Sequence, residues 1–375
     1  MEQVIGKEVE ITTEINSQPI TEKPKKLNSI DLCKFIMAIC VIAIHTTPWL
    51  DFEDSVVLCD IIKNFAGLAV PFFFMSSAYF LFTKMKKVGN GDIRSEESLK
   101  VLKDYSLRML KLYFIWQLIY LPSNIYQIVL CVRDGHNLFY MIFRYVKEMV
   151  FIVFEWDSLH LWYLWVSCIT SFVIYLMLKL KFKTWLLIVI SFAIYFFGRG
   201  LRMFVGMKGQ FDGVLLTLAN IVEWFFWSDH LVHGFAYFPI ALILALKPNK
   251  DLKWYFLLPL FLAMFSINVA MPYLTDSATI RKIFEETVPM VVSYLFFMFI
   301  LSIELKDKKI YFYLRKYSMV IYLVHNYFVF LLRVTILEKG VLMFAIVTII
   351  SLVIAMVVIY FAENKKVKWL KAILN

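Results

Sequence analysis

The sequence predicts an all-α fold, a polytopic membrane helix bundle of about ten transmembrane helices, and composition and hydropathy carry that prediction. Of the 375 residues, 61% are apolar and only 18% are charged, whereas an ordinary soluble domain has about 25% charged residues. The mean hydropathy is +0.71, and long apolar runs alternate with short basic segments. A soluble core of this size cannot bury so much apolar surface. We therefore exclude a secreted enzyme, a nucleic-acid-binding protein and a disulfide scaffold.

Ten segments are long and apolar enough to span the hydrocarbon core, which takes about 20 helical residues. In chain order they are 30–49, 62–83, 107–130, 160–178, 184–198, 231–247, 254–273, 287–303, 316–334 and 341–362. The stretches 138–156 and 214–229 are also apolar, but charges interrupt them. We interpret these two stretches as interfacial or re-entrant pieces.

The regions flanking the predicted spans are polar and basic. We expect a disordered cytoplasmic tail at 1–28, a transmembrane domain at 29–364 and a basic cytoplasmic tail at 365–375. The first apolar stretch begins too late for a cleaved signal peptide, so we expect the first helix to act as an uncleaved anchor.

The distribution of basic residues predicts that both termini face the cytoplasm, because cytoplasmic loops are enriched in Lys and Arg. With ten crossings and the N-terminus inside, 27 of the 39 Lys and Arg residues fall in cytoplasmic segments. The first loop on the other side carries four acidic residues instead, which are Asp51, Glu53, Asp54 and Asp60.

The first predicted helix contains ionisable residues, which are costly within a membrane and are therefore functional candidates. Lys34 and His45 are 11 residues apart, so they share one helix face and lie about 16 Å apart along the axis. Asp31 falls near the same stripe. This spacing suits an extended thiol carrier whose phosphates meet Lys34 and whose reactive end meets His45. In the alternative interpretation, Lys34 extends to the inner headgroups and His45 forms hydrogen bonds near the outer interface.

One feature in each of the first two predicted helices resembles a motif of the acyltransferase 3 family, whose members are bacterial membrane O-acyltransferases of glycans. The Lys34-x10-His45 spacing resembles the basic-x10-His motif of the family's first helix, where the basic residue is usually Arg. The run from Pro71 to Phe80 is similar to an aromatic run that ends in Ser-Gly-Tyr or Ser-Gly-Phe. Here Ala78 replaces the usual glycine, which puts a close approach of backbone to ligand in doubt.

Two later motifs extend the resemblance over about residues 29–362. His160-Leu-Trp-Tyr-Leu164 resembles the family's His-Leu-Trp-Phe/Tyr-Leu signature at the start of a helix. The segment from Tyr317 to His325 resembles a Ser-x3-Tyr-x2-His pattern, whose three polar residues share one helix face.

The resemblance implies transfer of an acyl group, acetyl from acetyl-CoA, to a hydroxyl of a glycan or lipid-linked saccharide. It implies a multi-pass protein of the bacterial cytoplasmic (inner) membrane with lipid neighbours, no metal and no nucleic-acid partner; a homo-oligomer is left open. His45 is the expected base or transient acyl acceptor, since histidine titrates near neutral pH. The further catalytic candidates are Tyr322, His325 and His160, and the candidates for binding the carrier are Lys34, Arg108, Lys111 and Ser77.

Each of these side chains also has a structural interpretation. Trp162 and Tyr163 at a helix entrance are typical of an aromatic belt. Tyr322 and His325 are placed to form a hydrogen-bonded pair that holds helices together, and Ser77 is placed to pack or cap. Two nearby acidic residues, Glu155 and Asp157, read as solvated loop charges.

A polar patch precedes the sixth predicted span and consists of Glu223, Asp229, His230 and His233. Its side chains include zinc-ligand types, but the spacing fits no zinc motif, and we do not predict a metal site. The five cysteines form no CxxC pair, and we expect free thiols. Three other functions stay open: a secondary transporter or flippase, a sensor or assembly component of a polysaccharide machine, and an acyltransferase that takes succinyl or longer donors.

Overall fold

The computed structural model describes residues 27–52, 54–151, 157–225, 230–247, 253–335 and 339–363, with residues 367, 370 and 374. Within these ranges every regular element is a helix, which confirms the all-α fold. Glu53, Glu155, Asp229 and most of both predicted tails lie outside the described residues, as does the side chain of Asp157.

The described ranges contain thirteen α-helices. In chain order they are α1 (Asn28–Thr46), α2 (Val56–Gly67), α3 (Ala69–Val88), α4 (Glu96–Arg133), α5 (Leu138–Phe151), α6 (Trp162–Lys179), α7 (Thr184–Gly206), α8 (Gly213–Phe225), α9 (His230–Leu246), α10 (Trp254–Leu274), α11 (Ala278–Ser302), α12 (Lys309–Thr335) and α13 (Val341–Glu363). Short 3-10 helices lie at Pro48–Phe52, Asp157–Leu161 and Lys208–Gln210.

Nine segments among the described residues are long and apolar enough to cross a membrane, and α2 with α3 forms one of them. Helices α8 and α9 are bent by 69° at their break and add a tenth crossing if they form one span. This agrees with the prediction of about ten membrane helices. Helix α5 has 14 residues and is amphipathic, as expected for an interfacial helix.

Local sequence explains the boundaries of the helices that carry the site. Ser95 caps α4 by accepting a hydrogen bond from the Ser98 N–H, and the acidic first turn favours the same helix end. Pro71 has no N–H to donate to a carbonyl of the preceding turn. The helical hydrogen bonds are therefore interrupted close to the point where α2 ends and α3 begins.

Contacts at the two ends of the bundle show how α1 and α13, the first and last described helices, are oriented relative to each other. At one end of the bundle, Asn28 Nδ2 donates to the Lys306 carbonyl (3.3 Å), and Lys316 forms an ion pair with Glu363. At the other end, the Gly340 N–H donates to the Thr46 carbonyl at 2.9 Å. The start of α1 and the end of α13 therefore lie at the same end of the bundle. This arrangement requires an even number of crossings and favours α8 and α9 as one span.

Which membrane side holds that end is a prediction that cysteine labelling can test. In a cysteine-free chain, we expect Glu97→Cys and a cysteine added after Asn375 to resist an impermeant thiol reagent in intact cells. Asp54→Cys should react, because the acidic first loop faces outward under the positive-inside rule. Lysed cells provide the control for reactivity. Reaction of the added C-terminal cysteine in intact cells would contradict the ten-span topology.

Candidate functional site

Three histidines from separate segments lie together near one end of the bundle. Helix α1 supplies His45, the 3-10 helix before α6 supplies His160, and α12 supplies His325. The ring centroids of His45 and His325 are 5.2 Å apart, those of His160 and His325 are 5.0 Å apart, and those of His45 and His160 are 6.4 Å apart. His160 and His325 are buried, whereas His45 is half-buried.

Hydrogen bonds to backbone carbonyls fix the tautomer of His325. Its Nδ1 lies 2.8 Å from the Tyr322 carbonyl and 3.1 Å from the Ile321 carbonyl. A carbonyl only accepts, so Nδ1 carries the proton of the neutral ring. Nε2 is then the unprotonated nitrogen, and it has no hydrogen-bond partner among the described residues.

Two tyrosines hold the histidine-bearing segments against each other. Tyr322 Oη donates to the His160 carbonyl at 2.5 Å. Tyr120 Oη donates to the Leu323 carbonyl (3.0 Å) and accepts from the Tyr327 N–H (3.1 Å). Tyr120 thus bridges two turns of α12 beside the histidines, and its own ring packs 4.9 Å from that of His160.

A cavity of about 340 Å³ reaches this cluster. We call it the outer cavity, because the predicted topology puts this end of α1 on the non-cytoplasmic side. His45, His160, His230 and His233 line it. Trp162 also lines it and packs against His230, with ring centroids 4.5 Å apart. The outer cavity therefore combines imidazole nitrogens with an aromatic surface.

A second, inner cavity of about 530 Å³ lies toward the opposite end of α1. Four cationic side chains line it, which are Lys34, Lys84, Arg108 and Arg315. Asp104 is the one carboxylate among its lining residues. The excess of positive charge makes the inner cavity suitable for a polyanion such as a phosphorylated carrier.

Contacts of α1 with α12 and with α3 position two of these cations. Arg315 lies 3.6 Å from Asp31, which joins the two helices near the inner cavity. The Lys34 ammonium lies 4.8 Å from the centroid of the Phe80 ring, a cation–π arrangement. Along α1, Lys34 thus faces the inner cavity, whereas His45 faces the outer one.

Three aromatic side chains line both cavities, namely Phe73, Tyr163 and Tyr322. The centroid of Phe73 lies 6.3 Å from each of the two tyrosine rings, and the tyrosine rings are 5.7 Å apart. All three pairs are within the range of aromatic contact. We call these three rings the aromatic partition.

The structure brings most of the sequence-predicted residues to these two cavities. His45, His160, Tyr322 and His325 form one cluster, while Lys34, Arg108 and Ser77 line the inner cavity. Lys111 is exposed and is not among the lining residues. It lies one turn beyond Arg108 along α4.

Sequence reasoning did not single out Arg315 or Lys84. Arg315 precedes Ser318, Tyr322 and His325 by three, seven and ten residues, which is the spacing of one helix stripe. That periodicity was available as a signal in the sequence. Lys84 carries no comparable signal, because it is one of several lysines near the end of α3.

The polar patch before α9 does not gather as one group. Glu223 forms an ion pair with Lys208 at 2.5 Å, while His230 and His233 line the outer cavity. Among the described residues, no three His, Cys, Asp or Glu side chains are placed to hold a metal ion.

Gly234 permits close packing of α9 on α6, because a Cβ there would lie 2.1 Å from Thr170 Oγ1.

These observations define the class of protein. It is a membrane-embedded helix bundle with a cationic cavity on one side of a histidine cluster. Residues 27–360 match the family model described as an acyltransferase domain. The chain therefore belongs to this acyltransferase family and is a multi-pass membrane protein. This confirms the resemblance inferred from the four motifs.

Two curated relatives were found, both named "Amino-acid racemase" and both from Enterococcus faecalis. One is 28% identical over 251 residues, which are 65% of this chain and 32% of the relative. The other is 27% identical over 234 residues, which are 59% of this chain and 28% of the relative. The chain thus spans about a third of the length of the curated relatives it matches. No solved structure matches the chain.

Proposed function

We propose that this protein is an O-acetyltransferase that transfers acetyl from acetyl-CoA to a hydroxyl of a cell-surface or exported glycan or lipid-linked saccharide. In this proposal it acts in the bacterial cytoplasmic membrane. The observation that carries it is the alignment of two cavities along α1 and α12. Cations line the inner cavity, and histidines line the outer one.

The inner cavity supports binding of the donor. Coenzyme A carries phosphates at one end and its thioester at the other, joined by a long flexible arm. In this proposal Lys34, Arg108 and Arg315, which line the inner cavity, bind the phosphates through charge-assisted hydrogen bonds. The arm then extends along α1 toward the aromatic partition, with the thioester nearest to His45.

The outer cavity supports binding and activation of the acceptor. His45 takes the proton of the acceptor hydroxyl as that oxygen forms a bond to the acyl carbon. The carbon–sulfur bond breaks, and the departing thiolate receives the proton from His45. The products are an ester and free CoA, and the imidazole is restored.

His325 serves as a positioning residue in this mechanism. Its unprotonated Nε2 has no hydrogen-bond partner among the described residues, and its ring lies 5.2 Å from that of His45. Once His45 is protonated, it donates a hydrogen bond to this acceptor nitrogen, which then orients the His45 ring and stabilises its protonated form. Ser77, Tyr322 and His160 are the candidates for stabilising the oxyanion. Tyr322 would first have to release the His160 carbonyl, to which its hydroxyl donates in this structure.

The proposal is tested with purified protein in lipid nanodiscs and acetyl-CoA labelled in the acetyl group. We expect labelled acetate or labelled acceptor to appear together with free CoA, at a rate well above that of empty nanodiscs. A transporter or an assembly component would leave the thioester intact. Absence of CoA release with acetyl-, succinyl- and butyryl-CoA, with membrane glycans present as acceptor, would overturn the proposal.

A further inference from the structure

The two cavities share a wall of three aromatic rings, and a donor bound in the inner cavity must deliver its acyl group across that wall. Phe73, Tyr163 and Tyr322 each line both cavities. Their ring centroids are 5.7 to 6.3 Å apart, so the rings touch one another. In this conformation the aromatic partition separates Lys34 from the histidines.

Hydrogen bonds hold two of the three rings in place. Tyr322 Oη donates to the His160 carbonyl at 2.5 Å. The Tyr163 hydroxyl lies 2.7 Å from Ser77 Oγ and donates to the Phe73 carbonyl at 3.2 Å. Movement of either tyrosine would break hydrogen bonds in an apolar setting, which is costly.

Phe73 differs from both tyrosines, because its ring has no polar group and its side chain can change rotamer without breaking a hydrogen bond. Its backbone is nevertheless held, since its carbonyl accepts the hydrogen bond from Tyr163. The Phe73 ring is half-buried, whereas its neighbours Phe72 and Phe74 are fully buried. Phe73 is thus the part of the partition that can move while the tyrosines form a fixed frame.

We propose that Phe73 is a specificity-determining residue, a movable gate whose limited opening admits a short acyl group and excludes longer ones. This inference rests on the proposed acyl transfer. The donor carbonyl passes through the space that the Phe73 ring vacates when it turns aside, next to the Tyr163 and Tyr322 rings. The opening is narrow because the two tyrosine rings stay in contact, with centroids 5.7 Å apart, so that only the space of one phenyl ring is freed.

Cysteine reporters test the barrier without any need for catalysis. In a cysteine-free chain, Val70→Cys lines only the outer cavity and Met319→Cys lines only the inner one. We expect a small impermeant thiol reagent to reach the two reporters from opposite membrane faces. Adding Phe73→Ala should make each reporter react from both faces.

Phe80→Ala is the matched control for this labelling. Phe80 lies two turns from Phe73 on α3 and lines only the inner cavity, so its truncation should leave each reporter reactive from one face. Reaction of either reporter from both faces with Phe73 intact would overturn the barrier. Reporters that stay one-sided after Phe73→Ala would remove Phe73 as the gate.

Donor length tests the selectivity in the chain with its native cysteines. We expect Phe73→Ala to raise the use of butyryl-CoA relative to acetyl-CoA, measured as the ratio of kcat/KM, by at least about tenfold. An unchanged ratio, together with reporters that have become accessible from both faces, would overturn Phe73 as the determinant of acyl length. If the reporters respond as expected but no variant consumes either donor, the acyl-transfer function fails while the barrier stands.

Discussion

Replacing His45 by glutamine should lower the rate of acyl transfer by about 100-fold or more, because a positioned general base contributes about 10² to 10⁴ in rate. Glutamine keeps much of the side-chain volume and one hydrogen bond, but it cannot accept a proton near neutral pH. His45 lines the outer cavity, whereas His325 is fully buried behind it. Four imidazoles line this cavity, and the substitution removes the one that we propose as the base.

The measurement is the acetyl content of the membrane glycan from cells with matched membrane levels of each variant. His136→Gln is the control, because it makes the same chemical change at an exposed position outside both cavities. If His45→Gln retains a substantial share of activity, His45 is not the base and the search moves to His160 and His325. A purely structural role for His45 predicts instead that His45→Ala lowers protein yield and activity together.

Replacing Lys34 by alanine should raise the KM for acetyl-CoA by about tenfold or more while kcat changes little. A hydrogen bond to a charged group contributes about 1.5–3 kcal/mol, and each 1.4 kcal/mol corresponds to about a factor of ten in affinity. Lys34 lines the inner cavity with Arg108 and Arg315, so several cations share the phosphate charge. Lys34→Arg should keep binding or improve it, since guanidinium binds phosphate through two parallel hydrogen bonds.

Initial rates over a range of acetyl-CoA concentrations separate KM from kcat. Lys103→Ala is the matched control, because it removes an exposed lysine of α4 that does not line the inner cavity. An unchanged KM in Lys34→Ala would contradict the phosphate role. It would favour the alternative in which Lys34 only extends toward the headgroups.

The spans could be predicted from sequence because a membrane helix must satisfy its own backbone hydrogen bonds over about 20 apolar residues. Helices such as α1, α12 and α13 carry this signal directly. The pairing of Lys34 with His45 was equally accessible, since two residues on one helix have a relation that 3.6 residues per turn imposes. Intrahelical geometry needs no knowledge of the rest of the fold.

The contrast between Lys111 and Arg315 shows where sequence reasoning stops. Lys111 was predicted to bind the carrier because it lies at the cytoplasmic start of the third predicted helix, yet its side chain is exposed and does not line the inner cavity. Arg315 faces that cavity because α12 packs against α1, and Asp31 lies 3.6 Å from it. Asp31 and Arg315 are distant in the sequence, and no local sequence pattern relates one to the other.

Membrane helices meet through shape and small-residue packing, because lipid and protein interior are similarly apolar. Hydropathy therefore locates a span and gives little information about which of its faces meets another helix. Length, order and the Lys34–His45 axis follow from residue chemistry along single helices. The two cavities and the aromatic partition between them arise only when several helices pack together, among them α1, α3, α4, α6, α9 and α12.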